Sequence, residues 1–519
     1  MIENANICLF CSERTIYMKA VIGIDIGTTS AKVVIFRPNG SVITEAESSY
    51  PVLEPQPGHM EQDPHEIEQA LIDALHEAIA DSGLSASSIQ AAGISSAMHS
   101  LICVDESLTP LTNVLIWSDR RSVPQVERLR ASDRKTLYEN TGTPIHPMSP
   151  LLKLRWMYDE SFVPYQTAAS YISMKEYILR KWFHQDVVDY ATASASGLFN
   201  IHRLEWDQDA LNYAGISAEQ LSTPVPPTHI VTGLNKDIAR QTGLQQDIPI
   251  AVGASDGPLA NLGVGAVDDS KTVVTVGTSG AVRQFVNKPF LDPDERVFCY
   301  AVSENQYIMG GPTNNGGNVL DWLQHTLQSP DKQPGVSDVE SYLQMAGDIK
   351  AGSNGLLFLP YLNGERAPHW DATLKGSFFG LSHSHTQAHM ARAGLEGVIY
   401  ALYSIQEAID TLGHSSDTIY ANGGFARSEL WLQILADVFG RTVKVPVSHQ
   451  SSAWGAACTA LIAIGSLSSY EEGTKDIAFQ TSIPSQDMNN AAYRELYHFF
   501  KRLTEQTSTI ARDMQHFQQ

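Results

Sequence analysis

Two similar segments, half a chain apart, constrain the fold of this protein most strongly. The segments GIDIGTTSAKVVIF, around Gly27, and VVTVGTSGAVRQFV, around Gly277, each predict a strand, a Gly-Thr turn and a second strand. The same strand-turn-strand unit at the same place in two successive halves predicts a duplicated domain with a cleft between the copies. The alternative at this point is a coincidence of two ordinary β-turns.

The rest of the chain mixes short apolar runs with helical periodicity, which is typical of α/β architecture. Antiparallel strands are predicted to open the chain at residues 20–26, 32–36 and 42–47. A helix should follow, with Asp63 as its N-cap and Gly83 at its end. The small and polar segment 262–270 marks a boundary between an N-terminal domain, residues 18–265, and a C-terminal domain, residues 266–519. Residues 1–17 are predicted to be a mobile N-terminal extension.

Composition narrows the classes of partner. The 519 residues suffice for two or three domains, and 57 acidic against 35 basic side chains give a formal charge of −22. Such a field repels polyanions, which argues against nucleic acid or an anionic membrane as the main partner. Five cysteines form no disulfide framework, so we expect a reduced, cytoplasmic protein, and the pair Cys8 and Cys11 lacks the context of a metal or redox site.

The two Gly-Thr turns are candidates for phosphate binding. The turn Gly27-Thr28-Thr29-Ser30 offers successive backbone N–H groups and hydroxyls to phosphate oxygens, and Lys32 adds a positive charge. Asp25 ends the preceding strand and could hold Mg²⁺ through water. Paired with Gly277-Thr278-Ser279, this turn predicts a two-sided phosphate clamp. The chain lacks the G-x-x-x-x-G-K-[ST] pattern of a P-loop.

Glycine-rich turns before helices indicate where a nucleotide could approach the backbone. A strand at residues 419–422 runs into Gly423-Gly424 before a helix, and the run GGPTNNGGNVLDWL also precedes a helix. A tight turn without a ligand is the alternative for both.

Asp256 is the most distinctive carboxylate. It ends a predicted buried strand, residues 248–254, among small neighbours that leave space beside it. In phosphoryl transfer, an aspartate so placed orients the acceptor hydroxyl and takes its proton. For an isolated Asp-Gly pair, the start of a turn would be the simpler reading.

Two signatures resemble the FGGY carbohydrate kinases of the actin-like ATPase superfamily. The first comprises Met148-Ser149-Pro150, Lys153, Trp156 and Asp159-Glu160. The second begins at GSFFGL, resumes at His389, Ala393 and Glu396, and departs from the family pattern at Gly394. The similarity extends from about Met18 to beyond Ala460. It implies two ribonuclease-H-like domains, an interdomain cleft, and MgATP as the phosphoryl donor.

The resemblance also implies roles for single residues. Asp256 matches the catalytic base. The first phosphate motif corresponds to Asp25, Thr28, Thr29, Ser30 and Lys32. The second corresponds to Gly277 and Thr278, and nucleotide contacts fall on Gly317, Gly424 and Ser428. The segments SAMHS, IWSDRR and TGTPIHPMSP nominate sugar contacts at His99, Trp117, Asp119, Arg120 and His146.

The substrate expected from the resemblance is D-gluconate, phosphorylated to 6-phospho-D-gluconate by in-line transfer of the γ-phosphate. Within the family, the segment from Ser173 to Ile201 and NGERAPHWDATLKGSFFGL are most similar to gluconokinases. A carboxylate-bearing polyol needs hydroxyl partners and fixed cations, which Arg120, Lys175, His99 and His146 could supply. A xylulokinase, or another kinase of a polyol or ketose, is the alternative.

Other classes of function remain as rivals. A non-catalytic, nucleotide-gated binding protein would explain the phosphate turns but not Asp256 or the GERAP segment. A catalytically silent sugar sensor is disfavoured because no phosphate-motif residue or base is missing. A homodimer and a monomer are both left open.

Overall fold

The computed structural model describes residues 19–129, 131–327, 339–447 and 450–514. The predicted extension at residues 1–17, with Cys8 and Cys11, lies outside the described residues. Among the helices of the described ranges, none combines the length and the apolar character that crossing a membrane requires.

A six-stranded mixed sheet organises the first half. Its first three strands form an antiparallel meander, as the sequence predicts, and β1, β4 and β6 run parallel to one another. The spatial order is β5-β6-β4-β1-β2-β3. The strands are β1 Ala20–Ile26, β2 Ser30–Phe36, β3 Val42–Ser49, β4 Ile89–Ser96, β5 Ile230–Val231 and β6 Ile250–Ser255.

A seven-stranded sheet in the second half repeats this plan. Strands β7 and β8 are antiparallel, while β7, β11 and β12 run parallel. The spatial order is β9-β10-β8-β7-β11-β12-β13. The strands are β7 Lys271–Val276, β8 Gly280–Val286, β9 Phe298–Ser303, β10 Gln306–Thr313, β11 Thr418–Asn422, β12 Thr442–Pro446 and β13 Phe479–Ile483. The predicted duplication is therefore present as two sheets of matching topology.

Smaller elements complete the described residues. Two-stranded sheets pair Glu61–Gln62 with Val114–Leu115, Ile102–Val104 with Ser170–Ile172, Val187–Asp189 with Thr223–Val225, Phe199–Asn200 with Glu205–Trp206, and Leu357–Leu359 with Ser377–Phe379. Seven helices used below are α1 Pro64–Ser82, α2 Asp256–Gly263, α3 Gly317–Leu327, α4 Gln387–Thr411, α5 Glu429–Phe439, α6 Ser451–Ala463 and α7 Asp487–Asp513. The remaining helices are Val123–Arg128, Ala131–Thr141, Pro150–Asp159, Val163–Thr167, Met174–Phe183, Tyr190–Ala195, Gln208–Ala214, Lys236–Thr242, Val339–Gly347 and Tyr470–Thr474.

Helix α1 shows how local sequence sets an element. The side chain of Asp63 accepts a hydrogen bond from the backbone N–H of His65, and Pro64 occupies the first turn. Gly83 ends the helix in the left-handed region, with φ of 64°. The apolar face, which includes Ile67 and Leu71, packs into the core of the first sheet.

Helix α6 joins the two halves, although it belongs to the second half of the chain. Its backbone lies directly on the first sheet, because Gly23 and Gly93 leave no side chain between them. A Cβ at Gly93 would lie 1.9 Å from the carbonyl oxygen of Ala456, and one at Gly23 would lie 2.0 Å from that of Ala453. Trp454 of the helix packs on Phe36, with ring centroids 5.0 Å apart. This contact brings the turns that follow β1 and β7 toward a common cleft.

Candidate active site

A cavity of about 320 Å³ lies between the two halves, and both Gly-Thr turns line it. The turn after β1, residues 27–30 (hairpin 1), contributes Thr28, and the turn after β7, residues 277–279 (hairpin 2), contributes all three residues. Asp256, at the end of β6, lines the same cavity. The structure thus brings hairpin 1 together with Asp256 and hairpin 2, which both lie more than 200 residues further along the chain.

The two hairpins are similar but not identical. Hairpin 1 closes with the N–H of Gly27 donating to the carbonyl of Ser30 at 3.0 Å, and hairpin 2 with Gly277 donating to Ser279 at 2.8 Å. In hairpin 2 the strands rejoin at the pair Val276–Gly280, so its loop is one residue shorter. Hairpin 2 is also more exposed, since Gly277 and Thr278 both face solvent.

Hairpin 1 is held by side chains from outside the sheet. The Tyr50 hydroxyl donates to the carbonyl of Gly27 at 2.7 Å, and the Gln62 amide donates to that of Thr28 at 2.6 Å. The indole N–H of Trp117 donates to the Thr28 hydroxyl oxygen at 3.1 Å. The position of Thr28 is therefore fixed, while Thr29 remains exposed.

Asp25, Ser30 and Lys32 line a second pocket, of about 170 Å³, beside hairpin 1. Glu47 on β3 binds two of them: the Ser30 hydroxyl donates to it at 2.6 Å and the Lys32 ammonium lies 3.1 Å away. The Asp25 carboxylate accepts a hydrogen bond from the Ser95 hydroxyl at 2.7 Å. Burial nevertheless raises the pKa of Asp25 to about 6.

Asp256 lies at the junction of β6 and α2, where its carboxylate accepts a hydrogen bond from the N–H of Gly257 at 2.7 Å. Burial raises the pKa of Asp256, and the positive charge of Arg283 partly offsets that effect. The nearby charge of Asp256 in turn contributes to the raised pKa of Asp25. The cleft therefore contains two carboxyl groups that resist ionisation, a common property of general bases.

Backbone from two other segments converges on hairpin 2 and on the end of the strand before it. The N–H of Gly317, the first residue of α3, donates to the carbonyl of Gly277 at 2.7 Å. A Cβ at Gly423, whose φ is 100°, would lie 2.4 Å from the carbonyl oxygen of Val276. The next residue, Gly424, has open space where a side chain would be, so a ligand can reach its backbone. Ser428 caps α5, accepting a hydrogen bond from the N–H of Trp431 at 3.3 Å.

Comparison with known proteins identifies the family. The model of the N-terminal domain of the FGGY family of carbohydrate kinases matches residues 20–263, and that of the family's C-terminal domain matches residues 272–464. The chain belongs to the FGGY family of carbohydrate kinases. It is therefore a carbohydrate kinase with a donor site for ATP, as the sequence signatures predict.

Individual relatives cover nearly the whole chain. Gluconokinase of Bacillus subtilis (strain 168) is 41% identical over 506 residues, which span 95% of this chain and 98% of that protein. Xylulose kinase of the same organism is 30% identical over 497 residues, spanning 95% and 98%. The crystal structure of gluconate kinase from Lactobacillus acidophilus matches with a TM-score of 0.89 at 33% identity, covering 94% of this chain and 98% of that one.

Two of the sugar contacts nominated from the sequence line the cleft of this FGGY kinase. His99 is buried, and its Nδ1 lies 2.7 Å from the carbonyl oxygen of Ala195. Because a carbonyl only accepts, Nδ1 carries the proton and Nε2 is left as an acceptor. Burial and the charge of Lys153 lower the pKa of His99 to about 3, so this ring is neutral. Trp117 lines the cavity beside it.

His146 and Arg120 lie close to that wall without lining the cavity among the described residues. The His146 Nδ1 accepts a hydrogen bond from the N–H of Met148 at 3.2 Å, which places its proton on Nε2. Burial lowers the pKa of His146, and the charge of Arg366 lowers it further. Arg120 is exposed, and its positive charge also lowers the pKa of His146.

Asp119 and Lys175 form ion pairs with other residues of the protein. Buried Asp119 accepts two hydrogen bonds from the Nε and Nη2 of Arg121, at 2.9 and 2.8 Å, and one from the N–H of Met60 at 2.8 Å. Lys175 is fully buried and forms an ion pair with Asp189. Neither side chain belongs to the lining of the cavity in the described part of the chain.

Sequence reasoning missed two arginines of the cavity wall. Arg283 follows hairpin 2 on β8, and Arg366 lies in the GERAP segment. The guanidinium of Arg366 stacks over Trp117, 4.8 Å from the ring centroid, and donates to the carbonyl of Thr313 at 3.0 Å. The sequence signal for Arg283 was a long cation within a short, mostly apolar strand. For Arg366 it was a charged residue between a turn and a proline.

Proposed function

We propose that this carbohydrate kinase transfers the γ-phosphoryl group of ATP to the terminal hydroxyl of D-gluconate, giving 6-phospho-D-gluconate. The observation that carries the proposal is the position of Asp256, in one cavity with both phosphate hairpins and with a wall of cationic and imidazole groups. The 41% identity to a gluconokinase over 95% of the chain supports gluconate as the acceptor. D-Xylulose is the second candidate, supported by the xylulose kinase at 30% identity.

Each group has a defined part in this mechanism. Asp256 orients the acceptor hydroxyl and takes its proton as the oxygen attacks the γ-phosphorus. The backbone N–H groups of hairpins 1 and 2 hold the phosphate oxygens in line with that hydroxyl. Backbone at Gly317 and Gly424, with Ser428, forms the nucleotide side. Positioning and charge neutralisation supply most of the rate enhancement.

The residues present fit a Mg²⁺ ion carried by the nucleotide. The described residues contain no cluster of three or more His, Cys, Asp or Glu side chains that could cage a metal by themselves. Mg²⁺ in kinases typically uses one or two carboxylates together with phosphates and water. Asp25, whose pKa is raised chiefly by desolvation, would hold it through water beside hairpin 1. The ion would neutralise charge on the β- and γ-phosphate oxygens.

The proposal assigns the two binding sites to different domains. Residues 18–265 would carry the sugar site and the first phosphate hairpin, and residues 266–519 the nucleotide site.

The three described cysteines, Cys103, Cys299 and Cys458, are buried and unbridged, which supports a reduced environment such as the cytoplasm.

The test is ADP release by the purified protein with MgATP and each of D-gluconate, D-xylulose, D-ribulose and glycerol. We expect stimulation by D-gluconate well above that by the neutral sugars. Stronger stimulation by D-xylulose would show that D-xylulose is the acceptor, and the protein would still be a sugar kinase.

The variant Asp256→Asn tests the assignment of the base. It should lower kcat by roughly 10²–10⁴-fold, because it removes the proton acceptor. Binding of ATP, measured by calorimetry, should stay within a few-fold of the wild type. Sugar phosphorylation at the wild-type rate would refute the role of Asp256.

A further inference from the structure

We propose that Arg283 and Arg366 together form the subsite that binds the carboxylate of the sugar acid, and so select an acid over a neutral polyol. This inference rests on the proposed function and deepens it. It assigns the task of recognising the carboxylate to two residues on the C-terminal side of the cleft, instead of Arg120 and Lys175.

The first support is that both guanidinium groups lack a carboxylate partner. Among the described residues, neither Arg283 nor Arg366 forms an ion pair, in contrast to Lys175 with Asp189. Arg366 is 7% exposed, and its buried Nε has no hydrogen-bond partner. Arg366 is buried and Arg283 half-buried, and Glu365 and Asp256 act on them without forming an ion pair, so the two guanidinium groups can still bind an anion.

The second support is that the two cations act on one another. The pKa of Arg366 is lowered to about 10, chiefly by burial; the charge of Glu365 opposes this effect and the charge of Arg283 adds to it. An anion bound between the two groups would relieve this repulsion. Guanidinium groups also match a carboxylate geometrically, since their paired N–H donors can bind both of its oxygens.

The third support is the position of the pair relative to the phosphate hairpins. On β8, Arg283 stands three residues beyond Gly280, where hairpin 2 rejoins the strand, so its backbone lies roughly 10 Å along the strand from that turn. Arg366 is fixed on the sugar side by its stack on Trp117. The backbone amides of the hairpins therefore remain for phosphate, and the arginines for a second anionic group in the cavity.

Asp256 and Arg283 lie near one another in the cavity but do not form an ion pair. A Cβ on Gly257, the residue after Asp256, would lie 2.8 Å from the Arg283 Nε, and the charges of Asp256 and Arg283 influence one another. In an extended six-carbon acid, the carboxyl carbon and the terminal carbon lie ~6 Å apart. One molecule can thus present its last hydroxyl to Asp256 and its carboxylate to the arginines.

The test compares Arg283→Met with the wild type, using D-gluconate and D-glucitol, which has the same carbon chain without the carboxylate. We choose Arg283 because Arg366 also packs on Trp117. Rates are compared on the alkaline plateau of each pH–rate profile, because removal of the Arg283 charge should raise the pKa of Asp256 further. There the variant should raise KM for D-gluconate roughly 30-fold or more, with kcat and the KM for MgATP within about threefold. Arg283→Lys should restore part of the affinity. Arg240→Met, which removes an exposed arginine paired with Asp237, should leave both constants unchanged.

Two outcomes would overturn the proposal. A fall in kcat with unchanged KM for D-gluconate would show that the arginines act on the transferred phosphoryl group. Equal effects of Arg283→Met on D-gluconate and D-glucitol would show that no carboxylate is recognised.

Calorimetric titration of D-gluconate separates this proposal from the proposed function. Suppose that the wild type binds D-gluconate but does not phosphorylate it, and that Arg283→Met does not bind it. The carboxylate subsite is then supported, and the proposed phosphorylation of D-gluconate is refuted. If neither protein binds D-gluconate, both proposals fail. Thermal unfolding of Arg283→Met near the wild-type temperature excludes misfolding as the cause.

Discussion

At the scale of single residues, two carboxyl and two guanidinium groups set the electrostatics of the cleft. Burial raises the pKa of both Asp25 and Asp256, and the positive charge of Arg283 offsets part of the effect on Asp256. The same desolvation lowers the pKa values of Arg283 and Arg366. A substrate that brings an anion to the arginines and a hydroxyl to Asp256 satisfies both sets of groups.

The raised carboxyl pKa values predict a pH dependence. A raised pKa means that the carboxyl group stays protonated at pH values where an ordinary aspartate is ionised, and a protonated Asp256 cannot accept the hydroxyl proton. The value of kcat/KM for the sugar should therefore begin to fall, as the pH decreases, well above 3.8, the ordinary pKa of an aspartate. The check is a pH–rate profile at constant ionic strength, with circular dichroism to confirm folding. A rate that stays constant down to pH 5 would contradict it.

Sequence alone predicted that Asp256 and Thr28 face a common cleft, and both line the same cavity. They could be nominated because each follows a predicted strand among small or hydroxyl-bearing neighbours. Lys175 looked like a free cation because its pairing with Asp189 depends on how two elements pack. Arg283 was missed for the same reason, since nothing local distinguishes a cation that faces a cleft from one that faces solvent.

At the scale of elements, helix α6 controls how the two halves fit together. Its backbone lies on β1 and β4 at positions where only hydrogen atoms fit. The sequence predicts β1 but not this contact, because close approach of a helix more than 400 residues further along the chain leaves no periodic signal. The strands themselves were predictable, since β-branched runs and Gly-Thr turns define them locally.

The substitution Gly93→Ala tests the contact with α6. Its Cβ would overlap the carbonyl oxygen of Ala456, so the helix must shift, and the free energy of unfolding should fall by about 2 kcal/mol or more. The measurement is denaturant unfolding. Gly347→Ala is the matched control, because its Cβ would lie 3.8 Å from Leu430, an ordinary contact. Equal stability of the two variants would show that the interface tolerates the methyl group.

At the scale of the whole molecule, the duplicated sheets place one phosphate hairpin on each side of a cleft. The repeat in the sequence was enough to predict that arrangement. It did not predict the separate hydrophobic core between residues 101 and 221, which includes Leu152 and Met157 and lies outside the repeated unit. That core supports the wall of the cleft: the buried ammonium of Lys153 donates to the carbonyls of His99 and Ile116, both at 2.8 Å.

A cleft between two halves also predicts closure on ligand binding. The halves should approach one another when both substrates are bound, since an open cleft would admit water to the γ-phosphate. Small-angle scattering should show a smaller radius of gyration with D-gluconate plus a non-hydrolysable ATP analogue than with either ligand alone. An unchanged radius would contradict closure.

The most direct test of the central claim is the identity of the product. Wild-type protein is incubated with MgATP and ¹³C-labelled D-gluconate, and the product is examined by ³¹P and ¹³C magnetic resonance. The account predicts a single phosphate ester on C6, at the end of the chain remote from the carboxylate. Esterification at another carbon, or product from D-xylulose but none from D-gluconate, would contradict it.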